Sequence, residues 1–99
     1  MKTSFALLGL LLAGLGAAHA ETRAQKLQYI KDITGVSCSA EALAVRNKPN
    51  DAVVRAIPNA SVTILHGLVD DAGSSWVYVK DDNTHKSAGW VRLLDLSCI

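Results

Sequence analysis

Hydrophobic and polar positions divide the chain into three parts with different patterns. Residues 5–18 form a continuous apolar run of 14 residues without a charge. Residues 21–35 place apolar side chains at the three-to-four-residue spacing of a helix. From residue 36 onward, short apolar segments alternate with polar positions at a period near two, as in β-strands. The pattern predicts an N-terminal apolar segment, one short helix or arm, and a β-rich domain over 36–99.

The N-terminal apolar run is typical of a secretory signal peptide. Lys2 precedes it, and Ala18-His19-Ala20 supplies the small-residue pattern for cleavage after Ala20. A transmembrane anchor is the alternative, but an anchor needs about 20 apolar residues, whereas this run is shorter and contains glycines. We therefore expect residues 1–20 to be cleaved. The mature protein is then exported, periplasmic or secreted, and does not insert into a membrane.

Residues 21–35, ETRAQKLQYIKDITG, carry the signals of a short helix. Thr22 followed by Gln25 matches a capping box. Leu27, Ile30 and Ile33 recur at helical spacing, and the glycine at position 35 ends the segment. The apolar stripe of this helix either packs on its own domain or docks onto a partner.

Six short segments rich in β-branched residues follow, separated by turn residues. They are VSCS (36–39), ALAVR (42–46), VVRAI (53–57), SVTILHGLV (61–69), WVYVK (76–80) and GWVRLL (89–94). Short strands at a spacing of about ten residues predict a small antiparallel barrel or sandwich.

Alternation along these segments assigns side chains to two faces. Val77 and Val79 point to one face, and Trp76 and Tyr78 point to the other. Trp90 likewise points away from the small residues beside it. Because small aliphatic side chains suit a tight interior, the three aromatics are expected on the outer side or at the rim. There they either cover the barrel or bind a ligand.

Charge excludes two classes of partner. The chain has ten Lys and Arg against nine Asp and Glu, and removal of Lys2 with the signal peptide leaves nine against nine. Nucleic-acid binding needs a basic patch, and adsorption to anionic lipid needs clustered Lys and Arg. We therefore expect a partner recognised through shape, aromatic side chains and hydrogen bonds.

The two cysteines, Cys38 and Cys98, both fall in the exported part. An even pair in an oxidising compartment predicts a disulfide. The alternative is a nucleophilic Cys38 with His66 or His85 as its base. Export, the partner cysteine and the lack of a local signature weigh against this alternative.

The sequence offers no pattern for a metal, a cofactor or catalysis. The cysteines and histidines have no short-spaced ligand pair, and no phosphate-binding loop or nucleophile elbow is present. The carboxylate pairs Asp70-Asp71 and Asp81-Asp82 stand beside turn residues, where Asp is favoured for bonding its own backbone. We therefore expect no cofactor, no metal and a non-enzymatic role.

Three segments together resemble the bacterial SH3 domain (SH3b, the SH3 type 3 group). They are LAVRNKP (43–49), SSWVYV (74–79) and AGWVRLLDL (88–96), with IPNASVTIL (57–65) between the first two. The resemblance covers about 60 residues, from 36 to 98. It implies a small, partly open SH3-like barrel of five to seven short strands whose first and last strands lie side by side. It also implies that Cys38 and Cys98 come within bridging distance.

Bacterial SH3 domains are mostly non-catalytic adaptors, and some bind peptidoglycan peptides. The resemblance therefore implies an exported binding module for a peptide or protein ligand of the cell envelope, with peptidoglycan peptide as one candidate. The ligand-binding residues that we hypothesise are Trp76, Tyr78 and Trp90, with Arg46 or Arg92 as a carboxylate partner. The alternative is an accessory or regulatory subunit that docks onto a larger envelope or host protein through its N-terminal helix. The sequence leaves the oligomeric state and the identity of the ligand open.

Overall fold

The computed structural model describes residues 21–98, which form one helix and four antiparallel strands. The elements are α1 (Arg23–Asp32), β1 (Ser37–Arg46), β2 (Val53–Val69), β3 (Ser75–Asp81), β4 (Lys86–Arg92) and a short 3₁₀ helix (Leu93–Asp95). The signal peptide predicted over 1–20 lies outside the described residues. The expectation of a mainly β protein with one N-terminal helix is confirmed.

The four strands form a closed barrel in the order β1-β2-β3-β4 rather than a ring of five to seven short strands. The difference arises because predicted segments merge. The first two segments are parts of β1, and VVRAI and SVTILHGLV are parts of β2. Pro58 does not end β2, because residues 53–60 pair with β1 and have no partner strand on their other edge, where proline is tolerated.

The barrel interior contains the small aliphatic side chains that alternation predicted. Val62, Ile64, Val77, Val79 and Val91 are all completely buried. Leu43 and Val45 of β1 are also fully buried in the same cluster. The alternation of the sequence therefore identifies the inner face correctly at these positions of β2, β3 and β4.

Helix α1 begins at the predicted capping box and packs on the barrel. The Thr22 hydroxyl accepts from the Gln25 amide at 3.1 Å, and the Gln25 side chain accepts from the Thr22 amide at 2.9 Å. Ile30 and Ile33 are buried in the barrel's core cluster. Arg23 donates to the carbonyls of Val69 and Asp70 at the end of β2. Most of the apolar stripe is thus used within the domain.

The predicted disulfide between Cys38 and Cys98 is present. It joins the start of β1 to the segment after the 3₁₀ helix. Beside it, Ser39 and Ser97 exchange two backbone hydrogen bonds of 2.8 Å. The bridge leaves no free thiol on Cys38, which removes the nucleophilic alternative because a thiolate is the reactive species.

Candidate functional site

Three of the five hypothesised ligand-binding residues lie in one row across the outer face of the barrel. Tyr78 on β3 is the register partner of Trp90 on β4, and Trp90 is the partner of Arg46 on β1. On the other side, Tyr78 is the partner of His66 on β2. We call these four residues the cross-strand row. Opposite side chains on one face of a sheet lie close enough to contact each other.

The aromatic members of the cross-strand row form one cluster. The His66 and Tyr78 rings stack, with centroids 5.1 Å apart and planes 20° apart. Trp90 meets His66 edge to face at 5.4 Å and lies 5.5 Å from Tyr78. Tyr78 and Trp90 are half-buried and His66 is exposed, so each presents part of its ring to solvent. Such a surface offers apolar area at a small cost in side-chain entropy.

His66 is a member of the row that strand alternation does not identify. Strict alternation from Ile64 would turn His66 into the barrel. The β2–β3 register instead shifts between Ile64 and His66, and such a bulge reverses the faces of the residues that follow. Val69 is consequently buried and His66 exposed. The local signal that could have indicated it is Gly67, because a glycine inside a strand often marks a bulge or a close backbone approach, and a Cβ atom at Gly67 would lie 2.5 Å from the Trp76 carbonyl oxygen.

Trp76 lies on the same outer face but is completely buried, which corrects the expectation that its ring is open to a ligand. The guanidinium carbons of Arg46 and Arg92 lie 5.1 and 5.5 Å from the centroid of its ring. Cations are attracted to the face of an indole, and the long arginine stems can cover apolar surface. Trp76 is therefore a platform beneath the arginines rather than a direct contact surface.

Asp70 fixes the polar edge of the Trp76 ring. Its Oδ2 accepts from the Trp76 indole nitrogen and from the Asn50 amide, both at 2.9 Å. Its Oδ1 accepts from the backbone amides of Ala72 and Ser74 at 3.0 and 2.9 Å. The Asn50 bond, followed by those from Trp76 and Ser74, lowers the pKa of Asp70 to about 2. Asp70 is thus a turn residue, as predicted, and its carboxylate also fixes the indole ring on which the two arginines lie.

Asp82 forms a second hydrogen-bonded carboxylate, at the opposite end of β3. Its oxygens accept from the hydroxyls of Thr63, Ser37 and Ser61 at 2.6, 2.7 and 3.0 Å. These bonds, with that of Thr63 the largest influence, lower the pKa of its carboxyl. Asp82 was predicted only as a solvated turn residue. Its partners come from β1 and β2, so it joins the β3–β4 turn to those strands.

A groove of about 670 Å³ lies between helix α1 and the C-terminal segment, apart from the cross-strand row. Tyr29 from the helix and Leu94 from the 3₁₀ helix line it, and they are 45% and 93% exposed. Arg92 also contributes to the wall. The helix side of this groove is the part of α1 that does not pack on the barrel, since Ile30 and Ile33 are buried in the core.

Within residues 21–98, no three or more His, Cys, Asp or Glu side chains are grouped so that they could hold a metal ion. No helix in this part of the chain is long and apolar enough to cross a bilayer. Comparison with known proteins gives no match to a family model, to a curated protein or to a solved structure.

Proposed function

We propose that this protein is an exported, non-catalytic binding module that recognises a peptide or protein segment of the cell envelope, with peptidoglycan peptides as the first candidate. The observation that carries the proposal is the cross-strand row, in which Tyr78, Trp90 and His66 form one partly exposed aromatic cluster beside Arg46. Aromatic and arginine side chains dominate the energetics of many binding surfaces.

The proposal includes membership of the bacterial SH3 group. Two of the segments that carry the resemblance, LAVRNKP and AGWVRLLDL, meet in space because Arg46 pairs with Trp90. A short 3₁₀ helix and a final bridge to β1 follow β4, and the ring of strands is small. These features support an SH3-like barrel. In it, the backbone pairing between Ser39 and Ser97 takes the place of a last short strand.

Export is the second part of the proposal. It rests on the apolar run and cleavage pattern of residues 1–20. The disulfide between Cys38 and Cys98 is compatible with an oxidising compartment such as the periplasm or the extracellular space.

Pull-down on purified peptidoglycan sacculi and on envelope extract tests the binding role. We expect Trp90→Ala and Tyr78→Ala to reduce retention by about tenfold, since truncating a central aromatic commonly costs more than 1 kcal/mol of binding energy. Tyr29→Ala is the matched control, because Tyr29 is an exposed aromatic outside the row. Circular dichroism and thermal unfolding verify that each variant is folded. Unchanged retention of folded Trp90→Ala and Tyr78→Ala would contradict the proposal.

The groove beside α1 favours a second candidate function, an accessory subunit that docks onto a larger envelope or host protein. Leu27 and Tyr29 remain exposed on the helix, and Leu94 faces the same groove. The variants Trp90→Ala and Tyr29→Ala, together with Leu94→Ala, discriminate between the two functions. Loss of a complex from Tyr29→Ala and Leu94→Ala, with Trp90→Ala unaffected, would favour docking through the helix.

A further inference from the structure

Two arginines converge on one indole ring in this protein. Arg46 comes from β1 and Arg92 from β4, and both guanidinium carbons lie within 5.5 Å of the Trp76 ring centroid. Arg92 is the direct register partner of Trp76 on the neighbouring strand. Arg46 lies on β1, which is on the other side of β4 from Trp76. The indole face attracts both cations, but it carries no negative charge that would neutralise either of them.

The Arg46 guanidinium lacks a complete set of hydrogen bonds. Its Nη1 is buried and has no hydrogen-bond partner among residues 21–98, while the side chain as a whole is partly exposed. Withdrawing a charged group from water is unfavourable unless it gains a partner of opposite charge. Arg55 shows the contrast, since its guanidinium donates to the Ala88 carbonyl at 2.7 Å.

Asp70 is the acid tied to this cluster, yet its acceptor capacity is already used. Its two oxygens receive four hydrogen bonds, from the Trp76 indole, the Asn50 amide and the amides of Ala72 and Ser74. A carboxylate offers about four lone-pair sites. Asp70 therefore fixes the position of the indole and has no lone-pair site left to accept a hydrogen bond from Arg46 or Arg92. We expect the acceptor for these arginines to come from outside the domain.

We propose that Arg46, held against Trp76, binds a carboxylate group of the ligand, and that Arg92 adds a second positive charge to the same site. This inference deepens the binding function proposed above and rests on it. The planar guanidinium fork matches the two oxygens of a carboxylate. Nη1 is enclosed by protein, so the carboxylate approaches the other guanidinium nitrogens; what the buried Nη1 shows is that the Arg46 charge is partly withdrawn from water without a counter-charge in the domain. Trp90, the register partner of Arg46, adds apolar area, and the ligand is therefore a carboxylate beside an apolar group.

Titration with a minimal carboxylate tests the site without knowledge of the natural ligand. The probes are N-acetylglycine, its uncharged amide N-acetylglycinamide, and inorganic phosphate. Binding is monitored by ¹⁵N NMR through the indole N–H signal of Trp76 and the arginine Nε–H signals. We expect N-acetylglycine to shift these signals saturably with a millimolar dissociation constant, and the amide to leave them in place. Arg46→Gln should weaken this binding by about tenfold or more.

Arg55→Gln is the matched control, because Arg55 is an arginine of the same barrel whose guanidinium bonds the Ala88 carbonyl rather than lying over the Trp76 ring, and this variant should bind N-acetylglycine as the wild type does. Arg46→Lys separates charge from geometry: it retains the charge but lacks the fork, and we expect intermediate binding. Four results would overturn the inference. The first two are that the acid and the amide bind equally, or that neither binds. The others are that phosphate binds more tightly than N-acetylglycine, or that a folded Arg46→Gln binds N-acetylglycine as the wild type does.

Failure of this inference and failure of the proposed function are distinguishable. If N-acetylglycine does not bind but Trp90→Ala still abolishes retention on sacculi or envelope extract, the binding module stands and the carboxylate site is wrong. If N-acetylglycine binds through Arg46 but Trp90→Ala and Tyr78→Ala retain full sacculus and envelope binding, the carboxylate site stands and the role of the cross-strand row is wrong.

Discussion

Arg46 on β1 lies directly opposite Trp90 on β4, and this pairing closes the barrel. Gly89 permits the approach, because a Cβ atom at that position would lie 2.7 Å from Val45 Cγ1 and 2.8 Å from the Arg46 carbonyl oxygen. Its φ of +139° is also one that L side chains rarely adopt. A single glycine therefore determines both the closure of the barrel and the position of two members of the cross-strand row.

We predict that Gly89→Ala lowers the free energy of unfolding by about 1–3 kcal/mol, because the added methyl group overpacks the seam and the backbone is strained. Urea denaturation measures this change. Ser87→Ala is the control on the same strand, since Ser87 is exposed and such substitutions usually stay within about 0.5 kcal/mol. A Gly89→Ala protein as stable as the wild type would show that β1 and β4 do not need this close contact.

The disulfide links positions 60 residues apart, and its loss should destabilise the domain. Closing a loop of this length removes denatured-state entropy of about 4 kcal/mol in the loop-closure model. We predict that Cys38→Ser with Cys98→Ser lowers the free energy of unfolding by about 2–4 kcal/mol. Thermal unfolding of the wild type with and without a reductant measures the same effect. The double variant is the control, since a reductant should not change its unfolding temperature.

Burial of Ile30 in the core makes α1 an integral part of the domain rather than a separate arm. Ile30 is 3% exposed, whereas Leu27 on the same helix is 37% exposed. We predict that Ile30→Ala lowers the free energy of unfolding by about 2–5 kcal/mol, the range for truncating a buried Ile or Leu to Ala. Leu27→Ala should cost less than about 1 kcal/mol. Denaturant unfolding of both variants tests this difference, and equal losses would mean that the helix is not specifically docked.

Local pattern predicts the inner face of the barrel well but not the extent of its strands. Burial follows alternation because a strand with one buried face must place every second side chain inside. The length of β2 depends on its pairing: Pro58-Asn59 has the chemistry of a turn, yet β1 pairs on both sides of it, as Ala40 with Ala60 and Leu43 with Ile57. Pairing between distant segments thus overrides a local signal for a turn.

The candidate site is predictable in part for the same reason. Tyr78 and Trp90 follow from alternation, and their outward faces are observed. The membership of His66 depends on a bulge in register, for which Gly67 is a weak local signal. Trp76 is buried, and the two arginines over its ring lie 30 and 16 positions away in the sequence. A linear pattern does not contain contacts over such separations.

Protonation of Asp70 should destabilise the protein in acid. The pKa of its carboxyl is about 2 in the folded protein against an ordinary value of 3.8. The unfolded chain therefore binds more protons between these values, and stability rises with pH across that window. The contribution is fully present above about pH 5 and is lost as pH falls from about 4 to 2. The Trp76 indole loses its ionised acceptor at the same time.

Asp70→Asn should remove this component, so we predict a flatter dependence of the urea midpoint on pH between about 2 and 5 than in the wild type. Asp82→Asn tests the other hydrogen-bonded carboxyl, whose pKa is also lowered by its hydroxyl partners, and it should flatten the curve independently. Asp71→Asn is the control, because Asp71 is an exposed neighbour in the same turn. Curves for Asp70→Asn and the wild type that run parallel through this window would show that the hydrogen bonds to the Asp70 carboxylate contribute nothing to acid sensitivity.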